Sequence, residues 1–167
     1  MLKKFFFRAA FLGLMLVTTS VGFAQNFRIG GWGVDYETND FGDRTGQCQL
    51  SQTVFSEDFT VQYNIYITKF DGKIYIHINA DFNDEIIDRD AYLSFKTENN
   101  KVIEADGGYY ISKKEMASFL LTNEIISLFK NSLKLKMALR LQGYKPSVVE
   151  ISCRDFTKSY NEMLNCK

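Results

Sequence analysis

The strongest pattern in this sequence is an alternation of apolar and polar residues in two runs, TVQYNIYITKF and KIYIHINA, separated by Asp71-Gly72. An Asp-Gly pair between alternating runs is the strongest short-range signal of a β-hairpin. A two-residue turn places Ile67 opposite Ile76 and Ile65 opposite Ile78. Both strands then agree on which side is buried, so the register of the hairpin is well specified.

The other side of the predicted hairpin is polar and aromatic, and we call it the hairpin face. It consists of Asn64, Tyr66, Thr68, Tyr75, His77 and Asn79. Tyrosine is enriched at recognition surfaces because it offers a large contact area at low entropic cost. The pattern therefore indicates a candidate binding surface. The alternative is that a second sheet or a helix covers this face.

A second strict alternation, LKLKMALRL, separates apolar from basic positions. The apolar side consists of Leu133, Leu135, Met137, Leu139 and Leu141. The other side carries Lys134, Lys136 and Arg140. These cations form a second candidate binding site, for an acidic partner. The plainer interpretation is a solvated strand face whose charges prevent edge-to-edge pairing.

Shorter patterns predict the remaining elements. Further strands are expected at 27–36, 47–55, 91–97, 101–105 and 147–153, with an acidic connection at 81–90. The DGG sequence at 106–108 predicts a turn. Ser112 and Glu115 fit a capping box, and the segment up to Asn131 then predicts one broken helix or two short ones, the second capped by Thr122.

Helical spacing of Phe156, Tyr160, Met163 and Leu164 predicts a C-terminal helix. About seven strands with two or three short helices indicate an α+β fold, mainly an antiparallel, β-sandwich-like sheet.

The first 24 residues have the features of a secretory signal peptide. A basic start is followed by an apolar run at 9–17, and Gly22 and Ala24 precede a cut before Gln25. We therefore expect a single exported domain at 25–167, located in the periplasm or secreted, with no membrane span. The leader contains three of the 20 basic residues and none of the 20 acidic ones, which leaves the rest with a formal charge of −3. Nucleic acid is not an expected partner, because its binding needs a clustered basic excess.

The three cysteines allow three single disulfides. A helix between Cys153 and Cys166 would hold them roughly 15 Å apart, beyond the reach of a disulfide. Cys48 must then pair with one of the others. Cys166 is favoured because it ties down a chain end, and Cys48–Cys153 remains the alternative. Cys48 as a nucleophile is disfavoured, because the only histidine, His77, lies on the outward side of the hairpin, whereas Cys48 lies on the same side of its strand as Leu50.

The rest of the sequence gives little indication of metal binding or catalysis. The acidic stretch DFNDEIIDRD offers oxygen ligands for Ca²⁺, but Ile86 and Tyr92 stand where an EF-hand loop needs glycine and glutamate. No catalytic, zinc or nucleotide motif is found, so neither an enzyme nor a cofactor is expected.

Several segments together resemble the invasion-associated locus B family of bacterial periplasmic proteins. They are GGWGVDY, CQLSQ, DGGYY, IISLFKNSLKLKMALRL and VVEISCRDFTKSY. Many members carry a second cysteine where this chain has Asp35 or Tyr36, and a cysteine pair where it has YYISKKE. The resemblance implies that Cys48 recruits Cys153 or Cys166 instead. It also implies a small, exported, non-catalytic protein linked with host interaction or envelope stress.

We therefore expect a protein that binds a protein partner or an envelope or host surface. The alternative is a periplasmic inhibitor or immunity protein that neutralises a toxin, a lysozyme or a peptidoglycan hydrolase.

Overall fold

The computed structural model describes residues 31–38, 44–56, 61–80, 89–111 and 115–166. The predicted signal peptide, most of the acidic connection and Ser112 lie outside these residues.

Within these ranges the chain forms ten strands and two helices. The strands are β1 (Gly33–Thr38), β2 (Arg44–Phe55), β3 (Gln62–Phe70), β4 (Lys73–Ala80), β5 (Arg89–Lys96), β6 (Val102–Glu104), β7 (Asp106–Ile111), β8 (Met116–Leu120), β9 (Lys134–Leu141) and β10 (Ser147–Ser152). The helices are α1 (Asn123–Asn131) and α2 (Phe156–Leu164).

All the described strands belong to one antiparallel sheet, which curls into a half-barrel. Their order is β1-β2-β3-β4-β8-β7-β5-β9-β10, and β6 pairs with β5 beside this path. The predicted class, a mainly antiparallel α+β fold with a C-terminal helix, is confirmed. The curl lets one continuous sheet enclose its own core, so two separate layers are not needed.

Two side chains connect the ends of the curled sheet. The indole nitrogen of Trp32 donates a hydrogen bond to the carbonyl of Ser152 at 2.8 Å, and the amide of Gln52 donates to the same carbonyl at 3.1 Å. The backbone N–H of Trp32 also donates to the carbonyl of Arg154. The first two bonds give the side-chain N–H donors of the buried Trp32 and Gln52 an acceptor.

The predicted hairpin is confirmed in its turn and in its register. Ile65 pairs with Ile78 and Ile67 with Ile76, and all four side chains are buried. Asp71 and Gly72 both have positive φ angles, of 48° and 72°. A two-residue turn of this kind matches the twist of the flanking strands, which explains the choice of Asp-Gly.

The prediction for 106–120 is wrong. Instead of a turn followed by a helix, the chain forms β7 and β8, and β8 pairs with β4 along the hairpin. Glu115 has a positive φ of 48° in the turn between them, so it does not lie in a first helical turn. Pairing with β4, which is distant in sequence, overrides the local capping pattern.

Gly108 shows why this pairing suits the sequence. It lies opposite Phe119, and a Cβ atom at Gly108 would lie 1.9 Å from the Phe119 ring. The missing side chain therefore leaves space for a ring that is almost fully buried.

The two helices supply an aromatic centre to the core. The ring of Trp32 packs edge-on against Phe129 of α1 and Phe156 of α2, with centroids at 5.7 and 5.4 Å. The Thr122 hydroxyl accepts a hydrogen bond from the Ile125 N–H, so the predicted cap of the second helical piece is confirmed. Neither described helix is long and apolar enough to cross a membrane.

The alternation along β9 is confirmed with one exception. Leu135, Met137, Leu139 and Leu141 are buried. Leu133 lies before the strand and is 85% exposed, so its predicted place on the apolar side is wrong.

Candidate binding surface

The residues of the hairpin face lie together, as the register requires. Asn64 pairs with Asn79, Tyr66 with His77 and Thr68 with Tyr75 across β3 and β4. All six side chains are half-buried. Strands β2 and β8 flank the pair on its two sides, so the face lies in the middle of the first half of the sheet.

His77 is held by hydroxyl groups on both sides. Its Nε2 lies 2.9 Å from the Thr68 hydroxyl and its Nδ1 lies 2.8 Å from the Ser118 hydroxyl. Either neutral tautomer is satisfied, because a hydroxyl group both donates and accepts. Burial lowers the pKa of His77 below its usual 6.5, since desolvation disfavours the charged ring.

Other polar groups of the hairpin face are also bonded within the sheet. The Thr53 hydroxyl and the Gln62 amide both donate to the side-chain carbonyl of Asn64, at 2.9 and 3.0 Å. The rings of Tyr75 and His77 stack with centroids 6.4 Å apart. Much of the hydrogen-bonding capacity of this face is therefore used within the sheet.

The cysteines are arranged as the favoured pairing predicts. Cys48 of β2 and Cys166 form a disulfide with 6.3 Å between their Cα atoms, and it ties the end of α2 to the sheet. The alternative pairing with Cys153 is wrong. Cys153 is a buried free thiol, and burial raises its pKa to about 12.

Beside the disulfide, a second set of contacts joins β1 and β2 to α2. The Tyr36 hydroxyl donates to the Glu162 carboxylate, and this hydrogen bond is the main cause of the raised pKa of Tyr36. The Arg44 guanidinium lies 3.5 Å above the Tyr36 ring. A groove of about 500 Å³ runs along this end, past the disulfide, Met163 and Phe70.

The predicted basic stripe lies in the other half of the sheet. Lys134, Lys136 and Arg140 all point outward from β9 and are exposed. Lys134 forms an ion pair with Glu150 of β10 at 3.1 Å. Arg140 and Lys136 make no ion pair within the described parts of the chain.

Strand β5 completes this surface with residues that the sequence analysis did not single out. Tyr92 lies opposite Arg140, Ser94 opposite Ala138, and Lys96 opposite Lys136. We call these six residues, together with Val148 opposite Ala138 on β10, the basic face. Alternation in AYLSFKT already indicates which residues of β5 point outward. The pairing of β5 with β9 is a long-range contact that no local pattern reveals.

The charged side chains of the basic face are exposed, and a shallow depression lies among them. The Arg140 guanidinium lies 4.7 Å from the centre of the Tyr92 ring, close enough for a cation–π interaction. Ser94 and Ala138 form the floor of a shallow depression of about 200 Å³ beside this pair. Glu104 and Pro146 lie at its rim. Tyr92 is 47% exposed and Val148 43%, so apolar contact area is available next to the charges.

Side chains that could bind a metal ion lie apart in the described structure. Among the described residues there is no cluster of three or more histidine, cysteine, aspartate or glutamate side chains that could hold a metal ion. The acidic stretch considered for Ca²⁺ lies mostly outside these residues.

Comparisons with known proteins give a likeness in fold. No protein-family model matches the chain, and no curated protein matches it in sequence. The structure is similar to the crystal structure of invasion associated protein b from Bartonella henselae, with a TM-score of 0.51 and 12% sequence identity. The match covers 78% of this chain and 91% of that one. It supports the resemblance seen in the sequence at the level of the fold.

Proposed function

We propose that this chain is an exported, non-catalytic binding protein of the bacterial envelope and that its partner docks on the basic face. The observation that carries the proposal is the exposure of Tyr92, Lys136 and Arg140 on neighbouring strands. Tyrosine and arginine are the residue types that most often dominate binding energy at interfaces. The likeness in fold to an invasion associated protein agrees with this role.

The hairpin face is the weaker candidate because its polar groups already bind one another. A partner would have to replace the hydrogen bonds of His77 with Thr68 and Ser118, which are already satisfied. Replacing satisfied bonds gives little net free energy. Lys96, Lys136 and Arg140 form no hydrogen bond or ion pair in the described structure, so an acidic group can approach them without breaking one.

A non-catalytic role is supported by the state of the three most reactive side chains. Cys48 is part of a disulfide, and the pKa of Cys153 is raised to about 12 by burial, so neither is a thiolate near neutral pH. His77 has a hydroxyl on each ring nitrogen. Neither cysteine is a free nucleophile, and hydroxyls occupy both ring nitrogens of His77, so no carboxylate orients its ring as in a Ser-His-Asp triad.

Affinity capture with a matched pair of charge reversals tests the proposal. Tagged protein is exposed to envelope extract and to host-membrane extract, and bound proteins are compared by mass spectrometry. The variant Lys136→Glu/Arg140→Glu should lose the partner. The variant Lys69→Glu/Lys73→Glu makes the same charge change at the exposed tip of the hairpin and should keep it.

Equal capture by both variants would contradict the proposal. Stoichiometric capture of a toxin or a hydrolase, with loss of its activity, would assign the alternative inhibitor or immunity function instead.

A further inference from the structure

The charges of the basic face are arranged in two groups. Lys96 and Lys136 lie directly opposite each other on β5 and β9 and form one group. Arg140, stacked with Tyr92, forms the other. Since Lys136 and Arg140 are four residues apart on one strand, their Cα atoms are separated by about 13 Å. The depression floored by Ser94 and Ala138 lies between the two groups.

We propose that the basic face binds an extended, acidic segment of a protein partner, with carboxylates four residues apart. The segment lies along β9. One carboxylate meets Lys96 and Lys136, and the other meets Arg140. The residue midway between the carboxylates points the same way and enters the depression. This inference rests on the proposed function and names the chemistry of the partner.

The spacing of the carboxylates matches that of the cations because an extended segment has the same two-residue side-chain repeat as strand β9. Side chains on one face of a strand recur every two residues, so carboxylates four residues apart are also separated by about 13 Å. A small apolar side chain between them fits above Ser94 and Ala138, where β5 and β9 carry no large residue. Val148 borders Ala138 on the β10 side and adds apolar contact.

The charge density of the face favours such a segment over a polyanion or an anionic membrane. Glu150 forms an ion pair with Lys134 and lies directly opposite Lys136 on β10, and Glu104 lies at the rim of the depression. A uniformly charged polymer or lipid surface would meet these two carboxylates as well as the cations. An extended segment with only two acidic residues meets Lys96, Lys136 and Arg140 and leaves Glu104 aside.

Titration of the full chain, purified after expression with its own leader, tests this inference with defined peptides. The first is a blocked nine-residue threonine-rich peptide with two glutamates four residues apart and a valine midway, TTETVTETT. The second, TTETVETTT, has the same composition with the glutamates three apart, which puts them on opposite faces of a strand. Binding is followed by amide chemical shifts in ¹⁵N-labelled protein.

The first peptide should bind about two- to five-fold more tightly than the second, as expected for the one exposed carboxylate contact that the second peptide cannot make. The shift changes should lie on β5 and β9. The variant Lys136→Ala/Arg140→Ala should bind both peptides equally weakly, whereas Lys69→Ala/Lys73→Ala should keep the preference.

Equal dissociation constants for the two peptides in the unmodified protein, or shift changes confined to other strands, would overturn the inference. Tighter binding to phosphatidylglycerol vesicles than to the first peptide, dependent on Lys136 and Arg140, would also overturn it. If capture of the natural partner is still lost on charge reversal in such a case, the proposed function stands and only the acidic segment is rejected.

Discussion

On the outer side of β3, β4 and β8, the ring of His77 is held between the hydroxyls of Thr68 and Ser118. On the outer side of β5 and β9, Lys136 and Arg140 extend toward solvent, and the neighbouring Tyr92 is 47% exposed. Both surfaces combine tyrosine with polar side chains. In the first half of the sheet those groups bind one another and stabilise the fold, whereas in the second half they are exposed to solvent.

The disulfide belongs to the first half, and its loss should give the largest effect on stability. The Cys48–Cys166 loop has a sequence separation of 118 residues. Cys48→Ser/Cys166→Ser should lower the free energy of unfolding by about 3–5 kcal/mol in the chain-entropy account. Urea denaturation measures the change. Cys153→Ala is the control and should cost only about 1 kcal/mol, since it removes one buried sulfur; equal losses for both variants would contradict the assigned pairing.

The next largest effect should come from His77. His77→Ala leaves the hydroxyls of Thr68 and Ser118 without their shared partner in a half-buried position. The free energy of unfolding should fall by about 1–3 kcal/mol, as for other broken buried networks. The urea midpoint measures this, and an unchanged midpoint would show that the hydrogen bonds of the hairpin face do not stabilise the sheet.

The lowered pKa of His77 predicts a smaller, pH-dependent effect. In the unfolded chain the ring takes up a proton below about pH 6.5, whereas in the folded protein it stays neutral to a lower pH. The contribution of His77 to stability is therefore fully present above about pH 6.5 and is lost as the pH falls through its folded pKa. Urea midpoints from pH 7.5 to pH 5 should fall more in the unmodified protein than in His77→Gln. Parallel curves would contradict this prediction.

Charge reversal on the basic face should have the smallest effect on stability. Lys136→Glu/Arg140→Glu should lower the free energy of unfolding by about 1 kcal/mol or less, because both side chains are exposed and only the contact of Arg140 with Tyr92 and the pairing of Lys136 opposite Glu150 are lost. A melting curve measures it. A large loss would mean that the basic face has a structural role and that the contrast with the hairpin face is false.

The parts of the fold that the sequence predicts are those with long, regular alternation. The β3–β4 hairpin and its register follow from two matched runs and an Asp-Gly turn. The segment 106–120 has a weak alternation and a local capping signature, and it was predicted incorrectly. Its strand structure comes from pairing with β4 and from the fit of the Phe119 ring over Gly108, both of which need the folded sheet.

The candidate site was predicted in part for the same reason. The outward direction of Lys136 and Arg140 follows from alternation along β9. Tyr92 and Lys96, which lie beside Arg140 and Lys136 in the folded protein, belong to β5. The depression of the basic face is formed where Ser94 of β5 pairs with Ala138 of β9. Strand neighbours that are distant in sequence leave no local signal.

Photo-crosslinking in living cells from two exposed aromatic positions tests most directly whether the partner docks on the basic face. A photoreactive benzoylphenylalanine replaces Tyr92 on the basic face or Phe70 at the tip of the hairpin in the first half of the sheet. Phe70 is 73% exposed and Tyr92 47%, so exposure alone predicts more adduct from position 70. We expect a discrete crosslinked partner from position 92 and none from position 70. The same partner from position 70, or no adduct from position 92, would contradict it.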